Sequence, residues 1–351
     1  MSWDLVFILL VDGLANGAVY LLAGIGLVLI FSVTRVVFVP FGDVVAFAAL
    51  TLAAFEAGRL PPTIGLVALL AVLATGAEAW RLWRAGQPEG ILRAILGWGL
   101  LPLTPCALAY LAAGSDRPAA VQIAAAILLV LPITPLIARL TLQPIADASV
   151  LVLLMVSLVL HFLLSGLGLL FFGAEGTRTR PLTGLAWNIA EGYSVSGQII
   201  MMVVAALLLS LLFYLAFEYT LTGKALRATA VNRRGARLVG IRPAHTALLV
   251  YSCASLLAGM IGVLVAPVTT MYYDSGFVIG LKSFIAAIIG AMVSYPLTAA
   301  GALVVGVSES FASYWSGALK DAIVFGLLIP VLMLRSAMAQ QVEEEVDEID
   351  P

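Results

Sequence analysis

Apolar runs of 17 to 27 residues recur along the whole chain, near 5–31, 41–57, 63–79, 91–113, 119–138, 148–172, 197–219, 244–267, 279–295, 297–313 and 319–335. A helix needs about 20 apolar residues to cross the hydrocarbon layer, and a membrane-spanning strand would instead alternate apolar and polar positions. The pattern therefore predicts helices and excludes a β-barrel. The runs at 41–57, 279–295 and 297–313 are short and rich in Gly, Ala and Ser. Some of them are expected to be half-spanning or broken helices that line a cavity, the setting in which interrupted backbone is tolerated at membrane depth. The fold class that follows is an all-α polytopic membrane protein, a bundle of about 9–11 transmembrane or half-spanning helices.

Composition sharpens this reading. Of 351 residues, 62% are hydrophobic and 11% charged, with a mean hydropathy of +1.10. A soluble domain carries about 25% charged residues, so no separate soluble domain is left over. The net charge of −2 offers no electrostatic footprint for nucleic acid. Cys106 and Cys253 both lie in apolar runs and read as small core hydrophobes, with no metal site implied. Met1-Ser2-Trp3-Asp4 lacks a basic segment and the run behind it is long, so a cleavable leader is not expected.

Loop charge sets the orientation. Residues 219–243 hold Lys224, Arg227, Arg233, Arg234, Arg237 and Arg242 and no acid. By the positive-inside rule this loop faces the cytoplasm, and Arg81, Arg84 and Arg93 then fall on the same side. Loop 173–196 and the N-terminus fall outside; the C-terminus, with the acidic stretch 336–351, falls inside and reads as a disordered tail. The loop is rich in Ala, Leu and Arg, so helix is expected, with Gly235 breaking it into two short helices and Pro243 opening the next span.

Within that loop, Gly223-Lys224-Ala225 with Arg227-Ala228 is followed by Ala230, Asn232-Arg233-Arg234, Ala236, Leu238 and Gly240-Ile241. This series resembles the coupling loop of the permease subunits of branched-chain amino acid ABC importers, the LivH type. Asn16-Gly17-Ala18-Val19-Tyr20, Gly24-x-Gly26 and Gly42-Asp43 resemble that family's first two helices. Gly280-x-Lys282-x-Phe284, Gly290, Pro296, Gly301, Gly306, Glu309 and Lys320-Asp321 resemble its C-terminal segment. The similarity covers residues 5–60 and 139–335, with a 1–335 permease domain and an insertion at 77–118, read as an added helix pair anchored at the interface by Trp80, Trp83 and Trp98. Phe38 and Phe41 replace polar positions of the family pattern, hinting at a more apolar path.

The resemblance implies a bacterial or archaeal plasma-membrane permease. Residues 220–243 would couple to two cytoplasmic ATPase subunits that carry the ATP and Mg. A second permease subunit, a homologous heteromer ahead of a homodimer, and an external solute-binding protein complete the implied assembly. Branched-chain or other small amino acids are the implied substrates, with urea or short amides, or an ATP-independent carrier or channel, as alternatives. The chain itself binds no cofactor by any motif: Gly223-Lys224 is followed by Ala225, and Glu218 stands where a phosphate-binding loop needs glycine. An intramembrane enzyme is disfavoured because His-Glu-x-x-His is missing and Tyr273-Asp274 and Gly42-Asp43 occur in the wrong order for an aspartyl protease.

Ionisable residues at membrane depth are costly and mark function by default. Asp12, Asp43, Glu56, His161, Lys282, Glu309 and Asp321 meet that description. Asn16 and Tyr20 share a helix face. Lys282 and Glu309, opposite in sign, offer a pair within the bundle, against snorkelling to an interface. Asp43 is expected either to cap a helix or to face the path. His161 is expected to be a hydrogen-bonded core residue ahead of a proton relay.

Overall fold

A computed structural model of the protein describes residues 3–113, 117–190 and 193–333. Thirteen helices account for most of them: α1 (Trp3–Thr34), α2 (Phe41–Glu56), α3 (Thr63–Arg84), α4 (Pro88–Ala112), α5 (Ala119–Leu142), α6 (Val150–Phe172), α7 (Gly197–Tyr219), α8 (Leu221–Val231), α9 (Arg233–Leu238), α10 (Pro243–Val265), α11 (Ser275–Ile289), α12 (Tyr295–Trp315) and α13 (Lys320–Gly326). Among the described residues, seven of these are long and apolar enough to cross a membrane: α1, α3, α4, α5, α6, α7 and α10. With α2, α11 and α12 the bundle reaches the range expected from the apolar runs. Residues 77–118 contain the end of α3 and the whole of α4, which folds back along it. The acidic stretch 336–351 lies outside the described residues.

α1 is the central post. At 32 residues it is about 48 Å long, and most of its surface is covered by α12, α10, α11 and α7. Small residues permit the closest of these contacts. A Cβ on Gly306 of α12 would lie 2.3 Å from the Gly17 nitrogen, and one on Gly13 would lie 2.7 Å from the Val307 Cα.

Two interruptions shape the interior. After α1 the chain turns back through residues 35–40 without helix and begins α2 only at Phe41, which packs on Gly26, about two turns before the end of α1. After α10 it does the same in the opposite sense: residues 266–274 re-enter and α11 begins at Ser275. With 16 and 15 residues, α2 and α11 reach about 24 and 22 Å, short of the roughly 30 Å hydrocarbon layer. Their N-terminal turns meet backbone to backbone inside the bundle. A Cβ on Gly42 would lie 1.9 Å from the Gly276 carbonyl oxygen, and one on Gly276 would lie 2.0 Å from that of Gly42. Only glycine fits on either side. The non-helical backbone is satisfied internally, as burial requires: Val39 N–H donates to Ser157 Oγ (2.8 Å), and Thr177 and Met271 exchange two hydrogen bonds.

In loop 173–196 the described residues are 173–190 and 193–196. They include two paired antiparallel strands, β1 (Ala186–Ala190) and β2 (Tyr193–Ser196), the one sheet among the described residues. Arg178 Nε donates to the Pro267 carbonyl (2.8 Å), and Arg180 N–H to the Glu56 carboxylate (2.9 Å). Glu56 thus sits at the end of α2 under this loop.

Phe38 and Phe41 do not line an open path. Both are fully buried, Phe38 edge-on to Tyr251 (5.8 Å between ring centres) and Phe41 against Gly26. Their rings fill the space that the re-entrant turn opens beside α1.

Candidate functional site

A cavity of about 740 Å³ opens at the end of the bundle that carries the N-terminus of α1 and the C-terminus of α12. α1 contributes Asp12, Asn16 and Tyr20 on one face, one turn apart; α11 contributes Lys282; α12 contributes Glu309, Ser310 and Ser313; α13 contributes Lys320 and Asp321. The non-helical residues Thr269 and Thr270 complete a polar lining.

Four helices meet through one lysine at the deep end. Lys282 Nζ lies 2.5 Å from Glu309 Oε1 and 2.8 Å from Asp321 Oδ1, and the Tyr20 hydroxyl donates to Glu309 Oε2. Lys282 and Glu309 are buried, so neither snorkels, while the Asp321 side chain is 44% exposed. An ammonium removed from water needs this much compensation, because an unpaired buried charge is far costlier than a paired one. Beyond Tyr20 the cavity ends: Leu21 to Ile30 of α1 are buried all round.

Asp43 and Gly42 belong to a second place. Asp43, fully buried in the first turn of α2, is bonded through both carboxylate oxygens to His161 Nδ1 of α6 (2.8 and 3.0 Å). The His161 ring stacks on Phe277 of α11 at 4.3 Å. The pair therefore ties α2, α6 and α11 at the point where the two half-helices meet. It lies outside the cavity lining. A carboxylate at a helix N-terminus also meets the positive end of the helix dipole. The sequence offered both residues but no link between them, since 118 positions separate them.

At the opposite end, the basic loop is two helices. The break comes at Asn232, and Gly235 lies within α9. Asn232 caps α9 by accepting hydrogen bonds from Arg234 N–H (3.0 Å) and Gly235 N–H (2.9 Å), a stronger stop-and-start signal than a glycine supplies. Pro243 opens α10 as expected. Gly223 lets α8 fold back under α7, since a Cβ there would lie 2.3 Å from the Phe217 carbonyl oxygen, and Gly240 takes φ +86°. Arg227 binds Glu218 (2.7 Å), Arg233 donates to the Ala146 carbonyl (3.3 Å), and Arg35 reaches the Ala230 carbonyl (3.4 Å). Lys224 and Arg234 are exposed, as are the apolar side chains of Leu221, Val231, Leu238 and Val239 (75–89%). Among the described residues, no group of three or more His, Cys, Asp or Glu is placed to hold a metal.

Comparison with known proteins gives a consistent picture. Residues 9–332 match the family described as the permease component of branched-chain amino acid transport systems. The chain is 32% identical over 171 residues to the high-affinity branched-chain amino acid transport system permease protein LivH of Salmonella typhimurium, covering 46% of this chain and 55% of that one. The same figures hold for LivH of Escherichia coli K12. For the permease protein BraD of Pseudomonas aeruginosa, identity is 32% over 165 residues, covering 44% and 52%. The chain thus spans about half the length of the curated relatives it matches. No solved structure matches.

Proposed function

Because the chain belongs to the branched-chain amino acid transport permease family, we propose that it is the membrane-spanning subunit of an ABC importer that moves branched-chain or other small amino acids by alternating access. The carrying observation is the blind cavity: a polar chamber open at one face and closed at its deep end by the Lys282 network, beyond which α1 side chains from Leu21 onward are buried. A transporter needs such a chamber to be exposed to one side at a time, with two states close enough in free energy for a partner to bias them. On this reading α8 and α9 face the cytoplasm and the cavity faces outward, as the basic loop dictates, so the N-terminus is outside and the C-terminus inside.

The exposed apolar and basic residues of α8 and α9 are the surface offered to ATPase subunits, which hold the ATP and Mg. Monomeric surfaces rarely leave several large apolar side chains together in water. A second permease subunit would complete the path, and an external binding protein would deliver solute over loop 173–196. The chain contributes no catalytic residue; its work is mechanical.

The test is reconstitution with candidate ATPase, second permease and binding-protein subunits from the same organism, followed by uptake of labelled leucine, alanine and urea in proteoliposomes. ATP-dependent uptake of an amino acid supports the reading, and uptake of urea alone overturns the amino-acid assignment. Charge reversal at Arg227, Arg233 and Arg234 should abolish co-purification of the ATPase; retained ATPase would overturn the docking surface.

A further inference from the structure

A second cleft, of about 190 Å³, lies at the basic end of the bundle, between the end of α5, the turn before α6, α9 and the start of α10. Three guanidinium groups line it, Arg139, Arg233 and Arg237, together with Gln143, Asp147 and Tyr251. Asp147 is the one carboxylate in the lining, and Glu78, beside the cleft, is already engaged by Arg139 (2.6 Å). Arg139 also donates to Gln143 Oε1 (2.7 Å), and with Glu78 counted the three guanidinium groups face two carboxylates, so the excess positive charge rests with Arg233 and Arg237. The Nε atoms of Arg139 and Arg233 are buried without a hydrogen-bond partner, and Arg237 forms no ion pair among the described residues. Buried donors left unmade are costly, and the planar fork of arginine matches phosphate oxygens.

The level of the cleft in the membrane points to the source of the phosphate. Arg139 stacks over the Trp98 ring at 5.3 Å, and its partner Glu78 sits on α3 just before Trp80 and Trp83, residues that are 54% and 64% exposed. Tryptophans gather at headgroup depth, and basic pockets between helices at that depth receive anionic headgroups. We propose that the Arg139–Arg233–Arg237 cleft binds the phosphate group of an anionic phospholipid. Since Arg233 and Arg237 lie on α9, a bound headgroup clamps that helix to the end of α5. The assignment does not depend on which solute is carried.

The experiment is a lipid titration of the purified full chain in detergent, read by native mass spectrometry, with phosphatidylglycerol against phosphatidylcholine. Wild type should retain phosphatidylglycerol preferentially; equal retention of the two lipids overturns the proposal without recourse to any variant. Each arginine near the surface is worth about fivefold, so the double variant Arg233→Gln/Arg237→Gln should weaken phosphatidylglycerol binding by about 25-fold. The double variant Lys224→Gln/Arg234→Gln removes the same charge from the same face outside the cleft. A smaller loss there supports a site, and an equal or larger loss means diffuse attraction and overturns it. Inorganic phosphate added alone separates the sources: stabilisation of wild type that disappears in Arg233→Gln/Arg237→Gln would make free phosphate the ligand and overturn the lipid assignment, whereas no effect supports it.

Discussion

Among the described residues, two buried polar clusters are built from similar chemistry, an acid against a base, and their surroundings give them different capacities. The Lys282–Glu309–Asp321–Tyr20 cluster borders open space and draws its members from four helices. Asp321 is half exposed, so a solute or water can compete for Lys282. The Asp43–His161 pair is buried from solvent under Phe277 and lies outside the lining of that cavity. It can hold three helices in register but cannot reach a solute in this conformation. An ionisable residue at membrane depth is therefore a signal of cost, and only the presence or absence of a neighbouring cavity says whether that cost serves exchange or fixation.

The comparison can be broken most severely at Lys282. Lys282→Met leaves Glu309 buried without its counter-charge, and loss of one partner of a buried pair costs about 3–5 kcal/mol. Thermal unfolding in detergent should register a loss of that order, and uptake should vanish. The double variant Lys282→Met/Glu309→Gln should regain most of the stability but not the uptake; additive destabilisation would mean that the two residues are not coupled.

Gly42→Ala tests the fixed region next. Its Cβ would strike the Gly276 carbonyl, backbone against backbone, so the half-helices must separate. Overpacking of this kind costs about 1–3 kcal/mol or somewhat more, and Gly276→Ala should behave alike.

Asp43→Asn removes the charge while keeping the shape, and a loss of about 1–3 kcal/mol is expected from the weakened bond to His161. If the pair only fixes structure, the substrate KM should stay unchanged while the unfolding temperature falls. A changed KM with unchanged stability would place Asp43 on the path instead.

Asp321→Asn is the mildest change. An ion pair with one half-exposed partner contributes about 0–1 kcal/mol, so stability should barely move. KM for a zwitterionic solute is the quantity expected to shift, because Lys282 then loses one competitor for its ammonium.

Much of this was legible from residue order. The apolar runs located most of the helices, and the shortness of 41–57 and 279–295 marked the two half-helices; 297–313, short in the same way, instead belongs to the 21-residue α12. Lys282 and Glu309 could be suggested as partners because both stood out against apolar neighbours with opposite sign. The partnership of Asp43 with His161 could not be read, since nothing local distinguishes a histidine that meets a carboxylate 118 positions away from one that bonds to the backbone. The break in the basic loop was misplaced at Gly235 because helix propensity was weighed without the capping side chain of Asn232. Phe38 and Phe41 hint at a more apolar path because they replace polar positions of the family pattern, whereas the re-entrant turn sends their rings into the packing against Tyr251 and Gly26.

Residue order by itself determined that this chain lives in a membrane as a helical bundle, and which of its loops is basic. Those properties are sums over neighbours: hydropathy over about 20 residues, charge over one loop. Tertiary structure alone decided which polar groups face open space and which are sealed. That depends on glycines far apart in the chain, such as Gly42 and Gly276, allowing backbones to touch, and on which side of the contact a cavity is left.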